Sequence, residues 1–514
     1  MREHLTRVAV VFACLLPPAG ALHAQVSTYV SLDDPRLPQL EHLFATGAVR
    51  DPSPMVRPIL RSEVLRVLRE AEDERSDTED ATGRLIRSLV DYFDEPPGED
   101  AATFEILANG GLQSYTHARR DLQRAAGIGN TQPYADVELR VRLGASAAAV
   151  SRIAVEQRLR EDPDFPRQNE VTDYSPVTSR FPEAYVTAQF KWLRLFYGQI
   201  DRSWGPQGTY GIATSNFRYP TADLSFEINT RKFRFLATWS ELRDTLDADG
   251  EPIRRFFLVH RASVQLGRAL QVGVWESSVM AGREAYPQSF FANPFTIVRF
   301  ATANGLGDRG NQMLGLDVHW RIRPGLLLDV DVAIDELDTN RGEGEPPTPN
   351  RLAGTVSLSG GLGGQVGWRA LYTTATSIAF RTFDPQENFT DLGRGLGRNF
   401  ADYDQLTLTA TRPVTPNWLG SLEATLIRQG EGRINDPLPP RDELATYPER
   451  FLGTVEKTYR LAAGVTGRQG PLAVTASAGY HRRENADNQP GVTANDFVGR
   501  IQATAGFRIR GLLD

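Results

Sequence analysis

The sequence predicts an all-β transmembrane fold, an antiparallel outer-membrane β-barrel of about 18 strands with a small N-terminal α-helical periplasmic bundle. Three observations predict it. From Thr103 onward side chains alternate with period two, as in Asp136-Val-Glu-Leu-Arg-Val-Arg-Leu143 and Leu326-Leu-Leu-Asp-Val-Asp-Val-Ala-Ile-Asp335, giving each strand one wet and one apolar face. The joints between these segments alternate strictly between short and long. Trp192, Trp320 and Trp418 fall beside short joints, where an aromatic girdle meets the membrane interface. A soluble sandwich could also alternate, but it has no reason to keep the rhythm of joints.

In chain order, residues 1–24 read as a signal peptide: Arg2 and Arg7 precede the apolar run Val8 to Leu16, and small residues follow. The single cysteine, Cys14, lies in that run, so the mature chain is expected to carry no disulfide; a lipobox around Cys14 is opposed by Leu15 and Leu16, which prolong the run. Residues 25–100 have helical period. Asp34 with Pro35 opens a first helix carrying Leu37, Leu40, Leu43 and Phe44, and Gly47 ends it. Ser62 opens a second, and a capping box at 76–79 a third that stops at Pro96-Pro97. Such short helices must pack on one another or on the strands that come after them.

Residues 101–514 form the barrel. Short joints are expected near Ala145, Lys191, Thr230, Gly267, Pro324, Gly360, Pro413 and Arg468. Long ones span 116–133, 161–182, 201–222, 242–255, 280–310, 337–350, 377–402, 429–452 and 483–495. Beyond the signal no apolar run approaches the ~18 residues of a membrane helix. The mean hydropathy of -0.35 does not argue against a barrel, whose lumen and loops are polar. A net charge of -7 offers no basic footprint for nucleic acid.

The loop after the fifth strand, Asp201 to Ala222, carries the candidate site. Pro206 fixes its own φ and restricts Gly205, making Trp204-Gly205-Pro206 a rigid turn with a large flat side chain. Arg202, Trp204, Tyr210, Asn216 and Arg218 supply rings and forked donors suited to sugar faces and hydroxyl pairs, and Gly205, Pro206 and Ser215 shape the turn. The alternative is a packed loop that closes a cavity.

Laid out in this way, the chain resembles the Wzi family of capsule-assembly proteins. The resemblance rests on Leu32-Asp33-Asp34, Trp204-Gly-Pro206 followed by Ser215-Asn216 and Pro220, Asn293-Pro-Phe295, and the strand pair Leu314 to Trp320 and Asp329 to Asp335. It implies a periplasmic helical bundle and a surface that binds capsular or other extracellular polysaccharide without catalysis. Where the family more often has Trp-Trp-Gly-Pro-Gly, Ser203 and Gln207 take the outer places, which leaves the glycan open. The expected setting is the outer membrane, with its lipid and lipopolysaccharide as neighbours, for a monomer with no cofactor and no metal. A diffusion porin is the alternative function.

Other constellations point less far. Gly305-Leu-Gly-Asp-Arg-Gly310 matches GxGxxG, but a strand pattern follows it where a phosphate site needs a helix. Thr245 to Gly250 resembles half a calcium loop without its closing glutamate. His117, His260, His319 and His481 pair with no visible nucleophile, so the chain is read as no enzyme. Lumen-phase charges at Asp136, Glu138, Arg140, Arg142, Arg152, Glu156, Arg158, Asp329, Asp331 and Asp335 suggest a lumen crowded with ion pairs, or alternatively a wet channel.

Overall fold

The computed structural model describes residues 26–75, 80–94, 102–165, 178–247, 249–282, 310–336, 348–363 and 365–513. The signal segment, the residue 76–79 capping box, Pro96-Pro97, Asn293-Pro-Phe295 and all but the last glycine of the GxGxxG match lie outside the described residues.

Eighteen strands close into a barrel. The first six are β1 (Ala102–Tyr115), β2 (Asn130–Leu143), β3 (Ala147–Glu156), β4 (Ser179–Phe190), β5 (Leu193–Gln199) and β6 (Asp223–Asn229). The next six are β7 (Phe233–Leu246), β8 (Pro252–Leu266), β9 (Leu270–Gly282), β10 (Asn311–Arg323), β11 (Leu326–Glu336) and β12 (Arg351–Leu362). The last six are β13 (Val366–Ala375), β14 (Tyr403–Thr415), β15 (Trp418–Gln429), β16 (Glu456–Gln469), β17 (Leu472–Glu484) and β18 (Thr493–Leu513). Each pairs antiparallel with the next, and β18 closes on β1 from Leu513 opposite Ala102 to Arg500 opposite Tyr115. Closure leaves no edge strand with unpaired backbone groups.

The alternation reads out as expected. Val137 is 50% exposed on the outer wall while its neighbour Glu138 is 7% exposed in the lumen. Leu139, Ile153, Leu316, Val332 and Val356 extend the same apolar outer face. Every second joint is a tight turn, such as the two residues between β4 and β5, and the long joints gather at the opposite end. The half calcium loop is one of the latter: Asp247 Oδ1 accepts from the N–H groups of Asp249 and Glu251, 2.9 Å each, and so shapes a hairpin turn. Among the described residues no helix is long and apolar enough to cross a membrane.

Among the described residues three helices precede the barrel: α1 (Leu37–Thr46), α2 (Arg61–Asp73) and α3 (Ala81–Phe93). Two starts differ from expectation. Pro38, not Pro35, occupies the first turn of α1; Asp34 instead accepts from the Arg36 N–H at 2.8 Å and turns the chain ahead of the helix. Helix α2 starts after Leu60, and Asp80 caps α3 by accepting from Gly83 N–H at 2.6 Å. Leu40, Leu43, Phe44, Val64, Leu68, Leu85, Leu89 and Phe93 bury into one core of the bundle's own.

The bundle sits in the barrel mouth at the short-turn end. Arg36 donates to Asn417 Oδ1 at 2.8 Å and to the carbonyls of Pro416 and Arg468, and so clasps two turns at once. Gly47 ends α1 at φ +72, and a Cβ there would meet Gly325 N at 2.8 Å, so helix end and β10–β11 turn touch backbone to backbone. His42 Nδ1 lies 2.9 Å from Thr411 Oγ1 on the inner wall, and burial pushes its pKa down to about 4.

Candidate functional site

From the short-turn end, the chain between α1 and α2 climbs into the lumen. From the long-joint end, the loop after β5 descends to meet it. They pair as strands, Val56 opposite Trp204 and Arg57 opposite Ser203, and Gly205 N–H donates to Met55 O at 2.8 Å. Trp204 N–H also donates to Thr214 O at 3.0 Å, so the loop folds back on itself as a hairpin inside the barrel. A third layer, the joint between β13 and β14, lies on top: Ser215 N–H donates to Leu396 O at 2.9 Å, and the Ser215 hydroxyl donates to Gly397 O.

An apolar core holds these layers. Val56, Trp204, Ile212, Phe217, Phe380, Phe389, Leu396 and Phe400 pack with the inward-facing wall residues Phe257, Val259, Ala333, Ala353 and Ala375. Small wall residues at the last three positions leave room for the loop aromatics. Arginines fasten the upper layer to the wall: Arg255 donates to the carbonyls of Gln386, Asn388 and Thr390, and Arg398 reaches the hydroxyls of Thr355 and Thr373 and the Tyr210 carbonyl. Gly205 is required where it stands, because its φ is +139 and a Cβ would lie 3.0 Å from Asp331 Oδ2.

The expected sugar-contacting residues are therefore differently employed. Trp204 is 2% exposed in the lumen core, and this corrects its expected role as a stacking platform: while the layers are seated no sugar can reach the ring. Arg202 grips Asp223 with two bonds of 2.9 and 3.0 Å over the Phe196 ring. Tyr210 packs edge-on to Phe217 with centroids 5.2 Å apart. Asn216 is half-buried and its carbonyl accepts from Arg120 at 3.0 Å. Arg218 is buried, donates to Thr221 Oγ1 at 2.7 Å, and has its pKa lowered by burial. Burial also opposes the charge on Arg120, but the adjoining Asp201 carboxylate outweighs it and holds the guanidinium protonated.

Most of the lumen charges pair as ions, while Asp331 accepts from Trp275 Nε1 at 2.9 Å and Asp335 from the Phe380 N–H at 3.0 Å. Arg140 meets Glu105 at 2.9 Å, Arg152 meets Asp33 at 2.6 Å and Asp136 at 3.4 Å, and Arg158 meets Glu156 at 2.9 Å and Asp162 at 2.7 Å. Arg194 and Arg234 share Glu227 at 2.7 and 2.8 Å, and Arg261 meets Asp317 at 2.7 Å. His319 lies 2.6 Å from Asp329 in the lumen, His481 lies 2.7 Å from Arg460, and His260 faces outward beside Glu276. Sequence reasoning missed the third layer, although Phe380, Phe383, Phe389 and Phe400 in a Gly-rich joint were a signal that this loop packs.

Residues 120–327, from the loop after β1 into β11, match the family model of the capsule assembly protein Wzi. Over that span the chain is similar to the Wzi family. The matched segment contains the whole Trp204 loop and much of the wall against which it packs. Among solved structures the chain is similar to Escherichia coli Wzi, described as an outer membrane protein involved in group 1 capsule assembly and a carbohydrate-binding β-barrel. That likeness has 14% identity and a TM-score of 0.61, and covers 94% of this chain and 99% of that one. The outer membrane protein OprD from Pseudomonas aeruginosa follows at 9% identity and a TM-score of 0.45, covering 81% of this chain and 96% of that one. No curated protein matches the chain in sequence.

Proposed function

We propose that this chain is an outer-membrane barrel that binds and anchors capsular or other extracellular polysaccharide at the cell surface, without catalysis. One observation carries this reading: the lumen is filled from both ends by the protein's own chain, which meets at the Val56–Trp204 pairing, so the wall supports surface loops and not a passage. The Wzi match over 120–327, and the carbohydrate-binding barrel that shares the fold, point the same way. In this reading residues 1–24 are a cleaved signal, the helical bundle faces the periplasm, and the long joints face outward. The barrel acts as a monomer surrounded by outer-membrane lipid and lipopolysaccharide, with no cofactor. The Trp204 loop contributes by holding the long joints in place. Weak contacts along a long polymer, each worth roughly 0.5–1.5 kcal/mol for a hydrogen bond, add up across many barrels on one cell.

The test compares cells with and without the chain. Removing it is expected to shift polysaccharide from the cell-bound to the released fraction with total synthesis unchanged, while the purified protein stays silent in a planar bilayer. Unchanged cell-bound polymer together with large, steady, ohmic channels would overturn the reading in favour of a diffusion porin.

A further inference from the structure

A polar cavity of about 510 Å³ opens at the long-joint end between the loop after β1, the third layer and the joint after β15. That volume is in the usual range of ligand sites. Its two sides differ in charge. On one, Arg483 is surrounded by Glu456, Asp487 and Asp496 at 3.7, 3.1 and 3.1 Å, so that side carries its own counter-ions. On the other stand Arg124 and Arg433, whose guanidiniums form no ion pair among the described residues, although the Asp436 carboxylate accepts from the Arg433 backbone N–H at 2.7 Å.

Arg124 lies over the Phe400 ring, 3.5 Å from its centroid, and donates through Nε to Gln429 at 3.3 Å. Its Nη2 is buried with no partner. Burial pushes this guanidinium down to about 10, with Asp121 and Glu456 offsetting it only in part from beyond contact, so it keeps its charge at neutral pH with no carboxylate bonded to it among the described residues. Arg433 is exposed at the rim, held by Asn488 Oδ1 at 2.5 Å and Gly430 O at 2.6 Å. Two amides extend the donor surplus: Asn399 uses its oxygen to accept from Gly395 N–H, and Gln123 uses its own to accept from Gln405, which leaves an NH₂ on each. A cavity with two guanidiniums free of ion pairs among the described residues, and with spare amide donors, is matched by a ligand that brings a carboxylate and ring or hydroxyl oxygens.

We infer that this cavity takes a carboxylate-bearing sugar, a uronate unit of the surface polysaccharide, with Arg124 at its floor and Arg433 at its rim. The inference rests on the polysaccharide-binding reading above and names the chemistry of its ligand. A chain with net charge -7 has no general attraction for a polyanion, so a preference for acid sugar has to come from a local site.

The test uses the full chain in detergent, with polygalacturonate fragments and the same fragments after carboxyl reduction, and binding read by calorimetry. Wild-type protein is expected to bind the acidic form at least tenfold more tightly. Arg433→Gln should remove most of that preference and leave affinity for the reduced form unchanged. Arg124→Gln should do the same; if it fails to give a heat-modifiable barrel, Arg433→Gln alone carries the test, because its side chain is exposed. Arg482→Gln, on an exposed arginine outside the cavity, should keep the preference. Equal affinity for the two forms, or an undiminished preference in Arg433→Gln, overturns the uronate site. The polysaccharide reading stands or falls separately, on whether cell-bound polymer depends on the chain.

Discussion

The lumen holds two plugs that are fastened by different means. The helical bundle has its own apolar core and meets the barrel through polar clasps, Arg36 on two turns and His42 on Thr411, and through one small apolar patch where Tyr29 and Leu60 touch Tyr185 and Phe196. The Trp204 hairpin has no core of its own, because its apolar side chains belong to the same cluster as the wall residues Val259, Ala333 and Ala353. A plug whose larger core is its own can undock at the cost of one small patch and stay folded, whereas one whose whole core is shared with the wall cannot leave without exposing both. The bundle is thus the separable element and the loop a part of the barrel, and three measurements would break or sharpen this distinction.

The largest effect is expected at Trp204. Emptying a fully buried indole site costs about 3–5 kcal/mol. If the hairpin shares the wall's core, Trp204→Ala should loosen the loop and its Val56 partner together, seen as faster amide exchange over both segments and new bilayer current, in a barrel that still shows heat-modifiable migration. Exchange confined to the loop, with Val56 protected, would show that the two plugs are independent.

The bundle should respond to acid instead. His42 is held neutral by burial, with a pKa near 4 in place of 6.5. Between these values the undocked state binds the proton and the docked state does not, so docking is fully stable above about pH 6.5 and weakens as pH falls towards 4, by up to about 3 kcal/mol. Proteolysis of the segments linking the bundle to the barrel should rise over that window, and His42→Gln should flatten the rise. A rise unchanged in His42→Gln would place the acid-sensitive clasp elsewhere.

How much of this was legible in the sequence differs by level. The barrel was, because alternation is imposed by a wall with lipid on one side and ion pairs on the other; Val137 and Glu138 show it in two adjacent residues. The joints were, since a two-residue turn and a long loop leave different composition. The helix starts were less so: Asp34 and Ser62 look like caps, but tertiary bonds use them otherwise, Ser62 N–H donating to Ser27 Oγ at 2.9 Å. The depth of Trp204 was not legible at all. Its loop has the residue types of a sugar site, and only the partner strand at Val56, far back in the chain, places it inside. The cavity of Arg124 and Arg433 was hidden for the same reason, being assembled from loops distant in sequence, with nothing local to say that Arg483 is ion-paired and that Arg124 and Arg433 form no ion pair among the described residues.

The smallest expected effect tests whether the bundle's core is as private as its packing indicates. Asp80 caps α3 through Gly83 N–H and touches no barrel residue in doing so. Loss of such a cap costs about 1 kcal/mol. In a self-contained bundle Asp80→Ala should speed amide exchange along α3, and along α2 against which it packs, by about fivefold, and leave the Trp204 hairpin and the strands unchanged. Faster exchange at Trp204 and Thr214 in this variant would mean that the helices and the hairpin open as one unit. The polar clasps at Arg36 and His42 would then be the surface of a single plug, not the joint between two.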